Sequence, residues 1–227
     1  MLVSMQPHVP SKVKAYSMKH ITIIVAFLMG LSSPVAAQDF DKGLVAAEAD
    51  NYATALKEWR PLAEHGNAQA QWGLGVLYSQ GKGVLQDYSK AIRFYKLSAT
   101  KNNSDAQLGL AIMYQEGLGV IQDYTEAYNW YRRAAKQGSA VAAGALGYNY
   151  SKGTHGYLKD NVMAHAWYNI ASANGSKAVG ILSRNDTTKW YGAKRDETEK
   201  EMTPADISKA QAMARECMSS NYTKCGY

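Results

Sequence analysis

A serine and a lysine three residues apart, Ser98 and Lys101, match the spacing of nucleophile and base in penicillin-recognising enzymes. The companion motifs of those enzymes, Ser-Asp-Asn and Lys-Thr-Gly, do not occur in this sequence. Ser98 also stands at a small-residue position equivalent to Ala134 and Ala171, which favours a packed core residue over a nucleophile. We therefore predict no catalytic residue.

The five histidines form no recognisable catalytic or metal-binding motif. His65 is expected at the end of a helix, where an imidazolium interacts favourably with the helix dipole. His155 is expected in a loop, and His165 on a helix, either exposed or packed. Because His-Glu-x-x-His, Gly-x-Ser-x-Gly and phosphate-loop motifs are all missing from the sequence, we predict no enzyme activity, cofactor or metal.

The two cysteines, Cys217 and Cys225, are eight residues apart. In an exported protein such a pair favours a disulfide. The alternatives are a redox dithiol and a metal site, but the spacing is not Cys-x-x-Cys and no histidine cluster accompanies the pair.

The helices that would position these residues come from an internal repeat, because a shift of 36 residues aligns the sequence with itself. Residues 67–102 and 103–138 coincide at, among others, Asn67/Asn103, Leu74/Leu110, Tyr78/Tyr114, Gly81/Gly117 and Asp87/Asp123. Residues 139–175 form a third copy with one extra residue, in which His155 stands at the second glycine of the loop. Residues 38–66 keep mainly the second half of the pattern and are predicted to form an N-terminal capping repeat.

Each copy predicts a helix, a turn and a second helix. Ala70, Leu74 and Tyr78 have the spacing of one helix face, and glycines then end that helix. Asp87 is placed to cap a second helix with its own apolar stripe. Neither helix can bury its stripe alone, so stacking is required, and we predict an all-α solenoid of helix–turn–helix repeats with helical caps.

Several motifs within each copy resemble Sel1-like repeats, a 36-residue branch of the tetratricopeptide superfamily. They are Leu-Gly-x-x-Tyr, the Gly-x-Gly-Val loop, the following Asp-Tyr, and Ala-x-x-(Phe/Trp)-Tyr-x-x-(Ser/Ala)-Ala, and they cover residues 51–175. The resemblance implies an α-solenoid that serves as an adaptor in protein complexes. Some exported relatives are described as penicillin-binding or weak β-lactamases, so a cell-wall enzyme of that kind is the alternative; the cysteine pair in each repeat that marks them is missing here.

The resemblance also implies that the first helix of each repeat lines a concave groove. Groove-facing candidates for binding a protein or peptide partner are Trp72, Val76, Gln80, Leu108, Ile112, Gln115 and Tyr148. The alternative is that these residues only pack between helices. The second helices are expected to present a solvated convex face with Lys90, Arg93, Arg132 and Lys136.

Residues 176–227 lose the repeat pattern and are predicted to form a C-terminal helical cap. We expect a polar break at residues 185–188 and a solvated helix over the charged residues 194–201. A final helix should begin at Thr203 and Pro204 and place Ile207, Ala210, Ala214 and Cys217 on its inner face.

The first 37 residues predict export. Lys19 precedes an uncharged run at residues 21–31, too short to span a membrane, and Val35 and Ala37 fit a cleavage site before Gln38. Met18 is a plausible true start. The mature protein is expected in the periplasm or outside the cell, as a monomer without a membrane span.

The same 37 residues hold three of the lysines behind the net charge of +6 and no acidic residue. The mature part is therefore only mildly basic, which argues against nucleic acid as a partner. We expect an interaction scaffold, in one form regulating an envelope sensor or complex.

Overall fold

The computed structural model describes residues 39–175, 184–220, 222 and 224, and within them the secondary structure is helical. The helices are α1 (Phe40–Glu48), α2 (Tyr52–Glu64), α3 (Ala68–Gln80), α4 (Tyr88–Ala99), α5 (Ser104–Glu116), α6 (Tyr124–Lys136), α7 (Ala140–Lys152), α8 (Asn161–Gly175), α9 (Arg184–Glu199) and α10 (Pro204–Ser219). Each repeat contributes one helix pair, α3–α4, α5–α6 and α7–α8, and each helix from α1 to α9 packs mainly on its neighbours in sequence, whereas α10 packs on α8. The predicted all-α solenoid is confirmed.

Capping residues set the ends of the repeat helices. The side chains of Asn67, Asn103 and Ser139 accept hydrogen bonds from backbone amides in the first turns of α3, α5 and α7. At the other end of each of these helices a glycine takes the left-handed conformation, with φ of 68° at both Gly81 and Gly117. The turn that follows is thereby fixed in direction, and the second helix folds back on the first.

An aromatic side chain from a second helix lies wedged between two first helices. The ring of Tyr95 in α4 lies against Gly75 of α3 and Gly109 of α5, where an added Cβ would come within 2.6 Å and 2.9 Å of it. Trp59 of α2 lies in the same way between Gly43 and Gly73. These glycines let the helices approach closely, and each wedge joins one repeat to the next in a continuous core.

The third loop is one residue longer than the first two and packs on the same position of the previous repeat. A glycine in each of the first two loops contacts the tyrosine that begins the previous second helix: Gly83 lies against Tyr52 and Gly119 against Tyr88. In the third loop both His155 and Gly156 lie against the equivalent Tyr124: the rings of His155 and Tyr124 are 5.5 Å apart, and a Cβ at Gly156 would lie 3.4 Å from Tyr124. His155 takes the left-handed φ of 54°, as expected for a residue in place of the second glycine, and the extra residue of this loop lets Gly156 contact the tyrosine as well.

The C-terminal cap also differs from expectation. Residues 185–188 form no break; they belong to the first turn and a half of α9, a place that suits Asn, Asp and Thr by propensity. Nor is α9 a solvated helix, since Tyr191 and Thr198 are buried and α9 packs extensively on α8.

Helix α10 begins as predicted, with Thr203 accepting a hydrogen bond from the amide of Asp206 and Pro204 in the first turn. Ala210, Ala214 and Cys217 are buried on its inner face against α8. The hydroxyl of Tyr222 donates to Oδ1 of Asn174 at 2.6 Å, so the chain after α10 returns to α8. Cys225 and residues 1–37 lie outside the described residues, and the disulfide and the cleavage site therefore stay predictions.

Across the part of the chain that the structure describes, no helix combines the length and the apolar character that a membrane crossing requires.

Candidate peptide-binding groove

The first helices of the repeats form the inner layer of the array. Backbone contacts join α3 to α5 and α7 to α9, and a side-chain hydrogen bond from Asn149 to Gln115 joins α7 to α5. In the described ranges no side-chain hydrogen bond is seen between α4 and α6 or between α6 and α8, and their backbones make fewer contacts than those of α3 and α5. A stack of helix pairs curves toward the layer in which the helices lie closer together. The concave face is therefore lined by α3, α5 and α7, and α9 continues it.

The predicted apolar residues of this face divide into two groups. Ile112 of α5 and Tyr148 of α7 remain 38% and 44% exposed. Trp72 and Val76 are half-buried and pack against the core around Tyr95, and Leu108 packs in the same way against the next repeat. Both interpretations of this face thus apply, to different residues: some hold the repeats together, and Ile112 and Tyr148 are open to a partner.

The two predicted glutamines also differ. Gln80 is exposed at the end of α3. Gln115 is half-buried; its amide nitrogen donates to Glu116 at 2.8 Å and its amide oxygen accepts from Asn149 at 3.4 Å. Gln115 therefore links α5 to α7, and Gln80 is the one better placed to meet a ligand.

Helix α9 covers one end of the groove, because a glycine of α7 leaves room for an aromatic side chain of α9. Gly144 of α7 stands where α3 has Trp72 and α5 has Leu108, and a Cβ there would lie 1.9 Å from the ring of Tyr191. The ring of Tyr191 thus fills the space over the α7 backbone, beside the half-exposed Trp190. Neither residue follows from the repeat pattern, because α9 lies outside it, although two adjacent aromatic residues in a charged helix could have indicated a packed face.

A small cleft lies where α7, α8 and α9 meet. Its volume is about 40 Å³, and its lining comprises Tyr148, Ser151, Lys152, Asn161, Tyr168, Lys194, Glu197, Thr198 and Glu201. Pockets for small organic ligands measure roughly 300–1,000 Å³. The cleft is therefore too small for a metabolite, and it forms the rim of the groove.

Two carboxylates lie on the groove side of α5. Asp105 is exposed, but the surrounding protein limits its hydration and raises the pKa of its carboxyl. Glu116 ends the same helix and is exposed. In the other repeats the equivalent positions hold Gln69 and Gln80, or Val141 and Lys152, so the central helix alone carries two acids here.

The geometry of Ser98 and Lys101 does not suit nucleophilic chemistry. Ser98 is fully buried, and its hydroxyl donates to the carbonyl oxygen of Ala68 at 2.7 Å. The ammonium of Lys101 donates to the carbonyl oxygen of Gly66. Ser98 thus ties α4 to the first residue of α3, and Lys101, just after α4, binds the turn before α3. Ser98 is the packed residue that its repeat position predicts.

The buried histidine belongs to a structural network. His165 of α8 is fully buried, and its Nε2 lies 2.6 Å from a carboxylate oxygen of Glu199 in α9. The amide nitrogen of Asn169 lies 3.2 Å from Nδ1, and Arg195 donates to the amide oxygen of Asn169 at 3.3 Å. This chain of polar groups fastens α9 to the last repeat. In the ranges described, no group of His, Cys, Asp or Glu side chains could hold a metal ion.

The second helices are less uniformly solvated than expected. Arg93 is exposed, and Lys90 is exposed while pairing with Asp87 at 3.1 Å. Arg132 contradicts the prediction, because it is half-buried with its guanidinium over the ring of Tyr128. Lys136 is half-buried as well. The aromatic residues of α6 explain the difference, since they give Arg132 an apolar surface to cover.

These features define a class of protein, an α-solenoid of helix–turn–helix repeats. Residues 68–103, 104–139 and 140–176 each match the family model of the Sel1 repeat. The chain belongs to the Sel1 repeat family, as the motifs of its helices predict. Members of this family generally act as non-enzymatic scaffolds for protein interactions.

Two solved structures illustrate the similarity. A Sel1 repeat protein from Oxalobacter formigenes is 30% identical over 52% of this chain and 89% of that chain, with a TM-score of 0.49. A protective antigen present in uropathogenic Escherichia coli strains, displaying an SLR fold, is 24% identical over 81% of this chain and 46% of that chain, with a TM-score of 0.51. The second likeness shows the fold. A comparison with curated proteins gives no match.

Proposed function

We propose that this protein is an exported adaptor that binds a segment of a protein partner in the groove formed by α3, α5 and α7. Regulation of an envelope sensor or complex is one form of that role. The pattern from Lys19 to Ala37 supports a periplasmic or secreted location. The scaffold role general to the family supports binding rather than catalysis.

One observation carries the proposal: Ile112 and Tyr148 expose large apolar surfaces at equivalent positions of neighbouring helices on the concave face. Apolar and aromatic side chains at the centre of an interface supply most of the binding energy in protein complexes. Half-buried Trp72 extends the same surface on α3. Because Trp72 also packs against the core, its replacement would change stability and binding together, and Ile112 is the better residue to test.

The second repeat offers a matched control. Ile121, in the loop after α5, is 91% exposed and belongs to a second set of exposed apolar residues at equivalent loop positions, Leu85, Ile121 and Leu158. Ile112→Ser and Ile121→Ser thus make the same chemical change in the same repeat, on two different surfaces. Partners captured from envelope extract by the parent protein would be identified by mass spectrometry, and their Kd measured with each variant.

Ile112→Ser should weaken binding about tenfold to thirtyfold, the loss of about 1.4–2 kcal/mol at an interface centre, and Ile121→Ser should bind like the parent. Thermal unfolding of both variants checks that each is folded at the assay temperature. If Ile121→Ser no longer binds the partner while folded Ile112→Ser binds it like the parent, the partner binds at the loop residues Leu85, Ile121 and Leu158, and the groove proposal fails.

A further inference from the structure

Helix α5 carries one stripe of acidic and apolar residues along the floor of the groove. Asp105, Leu108, Ile112 and Glu116 are spaced by three, four and four residues, which places them on one helix face. The two carboxylates are eleven positions apart, or about 16 Å along the helix axis at 1.5 Å per residue. The stripe is thus an apolar centre with a negative charge at each end.

Neither acid is explained by an ion pair within the fold. Among the described residues, the ion pairs involve other carboxylates, and Glu116 accepts a hydrogen bond only from its neighbour Gln115. Lys152, at the equivalent end of α7, lies beside Glu197 and Glu201 and lowers the pKa of both, after their closer lysine partners. The positive charge of Lys152 is therefore balanced by carboxylates in α9 and just after it rather than by those of α5.

Both carboxylates also occupy positions that do not favour stability. Glu116 is the last residue of α5, where a negative charge faces the negative end of the helix dipole. Asp105 lies in the first turn, where the dipole favours an acid, yet the limited hydration at its position outweighs this and raises the pKa of its carboxyl. A carboxylate that is costly to the fold and makes no ion pair among the described residues is better explained by a ligand.

We propose that the groove selects a partner segment in which two basic side chains flank an apolar one, the cations pairing with Asp105 and Glu116 and the apolar side chain contacting Ile112. This inference rests on the proposed function. A span of about 16 Å corresponds to about five residues of an extended chain at roughly 3.3 Å each. Exposed Gln69 and Gln80 on the neighbouring α3 offer amide groups to the main chain of such a segment, which an extended backbone requires and a helix does not.

The test is selection of a phage-displayed library of random short peptides on the folded protein. It is run in parallel on three variants: Asp105→Asn/Glu116→Gln, Ile112→Ser, and the control Asp41→Asn/Glu126→Gln. The control removes the same charges from exposed first-turn positions of α1 and α6. A labelled copy of the most enriched peptide is then measured against each protein at low and high salt.

Peptides with two lysine or arginine residues about five positions apart, and an apolar residue between them, should be enriched on the parent protein and on the control variant. The Asp105→Asn/Glu116→Gln variant should bind the peptide about tenfold more weakly, because each of the two exposed ion pairs changes the Kd by a factor of up to about five. High salt should weaken parent binding and leave the variant almost unchanged. The variant should melt no lower than the parent, because both charges are unfavourable for the fold.

The alternative outcomes separate the two proposals. Enriched peptides that depend on Ile112 but carry no basic residues, or that bind the neutral variant equally well, overturn the charge inference and leave the groove as the binding surface. If the same peptides are enriched on the parent and on Ile112→Ser, or if no peptide is enriched, both the groove proposal and the charge inference are wrong.

Discussion

Replacement of Gly75 by alanine tests whether the aromatic wedges set the spacing of the groove helices. In the middle of a helix, alanine is intrinsically more favourable than glycine by about 1 kcal/mol. Here the new Cβ would lie 2.6 Å from two ring atoms of Tyr95, and the ring cannot retreat because Gly109 of α5 lies against its other side. Overpacking of this kind costs about 2–3 kcal/mol, so Gly75→Ala should lose about 1–2 kcal/mol net.

The chain supplies a control with the opposite expected sign. Gly192 lies inside α9, and a Cβ there would meet its nearest atom at 3.7 Å, an ordinary contact. Gly192→Ala should therefore gain up to about 1 kcal/mol from helix propensity alone. For a protein of this size each kcal/mol shifts the Tm by about 2–4 °C, so the two variants should move in opposite directions.

Thermal unfolding followed by circular dichroism measures both variants, and a double-mutant cycle identifies the cause. In a Tyr95→Val background the clash is removed, so Gly75→Ala should cost nothing or stabilise. If Gly75→Ala raises the Tm of the parent, or if its cost persists without Tyr95, the wedge does not set the helix spacing.

Three further predictions concern the export signal, the disulfide and the pH dependence of stability. Mass spectrometry of the mature protein should find Gln38 at the N-terminus, and an intact Lys19 in secreted material would contradict the cleavage site. No thiol should titrate in denaturant before a reductant is added, and Cys225→Ser should remove about 2–3 kcal/mol by the loop-entropy model; two thiols without reductant would show that the disulfide is absent. Hydrogen bonding to Lys42 lowers the pKa of Glu58 below its ordinary 4.5, so Glu58 stabilises the fold above that pH and loses this effect as the pH falls through the folded-state pKa. Glu58→Gln should therefore lower the Tm at neutral pH, with a difference from the parent that vanishes in acid; a difference independent of pH would contradict the ion-pair explanation.

The repeat architecture could be predicted because its determinants are local. Caps such as Asn67 and Asp87, the left-handed Gly81, and the start of α10 at Thr203 and Pro204 act within a few residues of chain. Each appears in the structure where its residue type predicts it. In the third loop His155 takes the left-handed conformation that its position predicts, but the contact of Gly156 with Tyr124 of the previous repeat is not local and could not be predicted.

The structure of the C-terminal cap and of the groove depends on contacts between helices that the sequence pattern does not show. Polar residues at 185–188 suggested a break, although the packing of α9 on α8 and the hydrogen bond between Nε2 of His165 and the carboxylate of Glu199 support one continuous helix. The sequence could not decide whether Trp72 is buried or exposed in the groove, because its face of α3 meets both the concave surface and the next repeat. Tyr191 could not be placed without knowing that Gly144 leaves room for it.

Comparison of the repeats within this chain separates packing positions from groove positions. Each repeat must solve the same packing problem, and residues that do so recur, such as Leu74, Leu110 and Leu146, all of them buried. Positions that stay at least partly open on the groove side change from copy to copy: Gln69, Asp105 and Val141; Val76, Ile112 and Tyr148; Gln80, Glu116 and Lys152. A segment that crosses the groove therefore meets different chemistry at every helix and can be held in one register only. A nonspecific apolar surface would need no such differences, and they favour a groove that recognises one sequence.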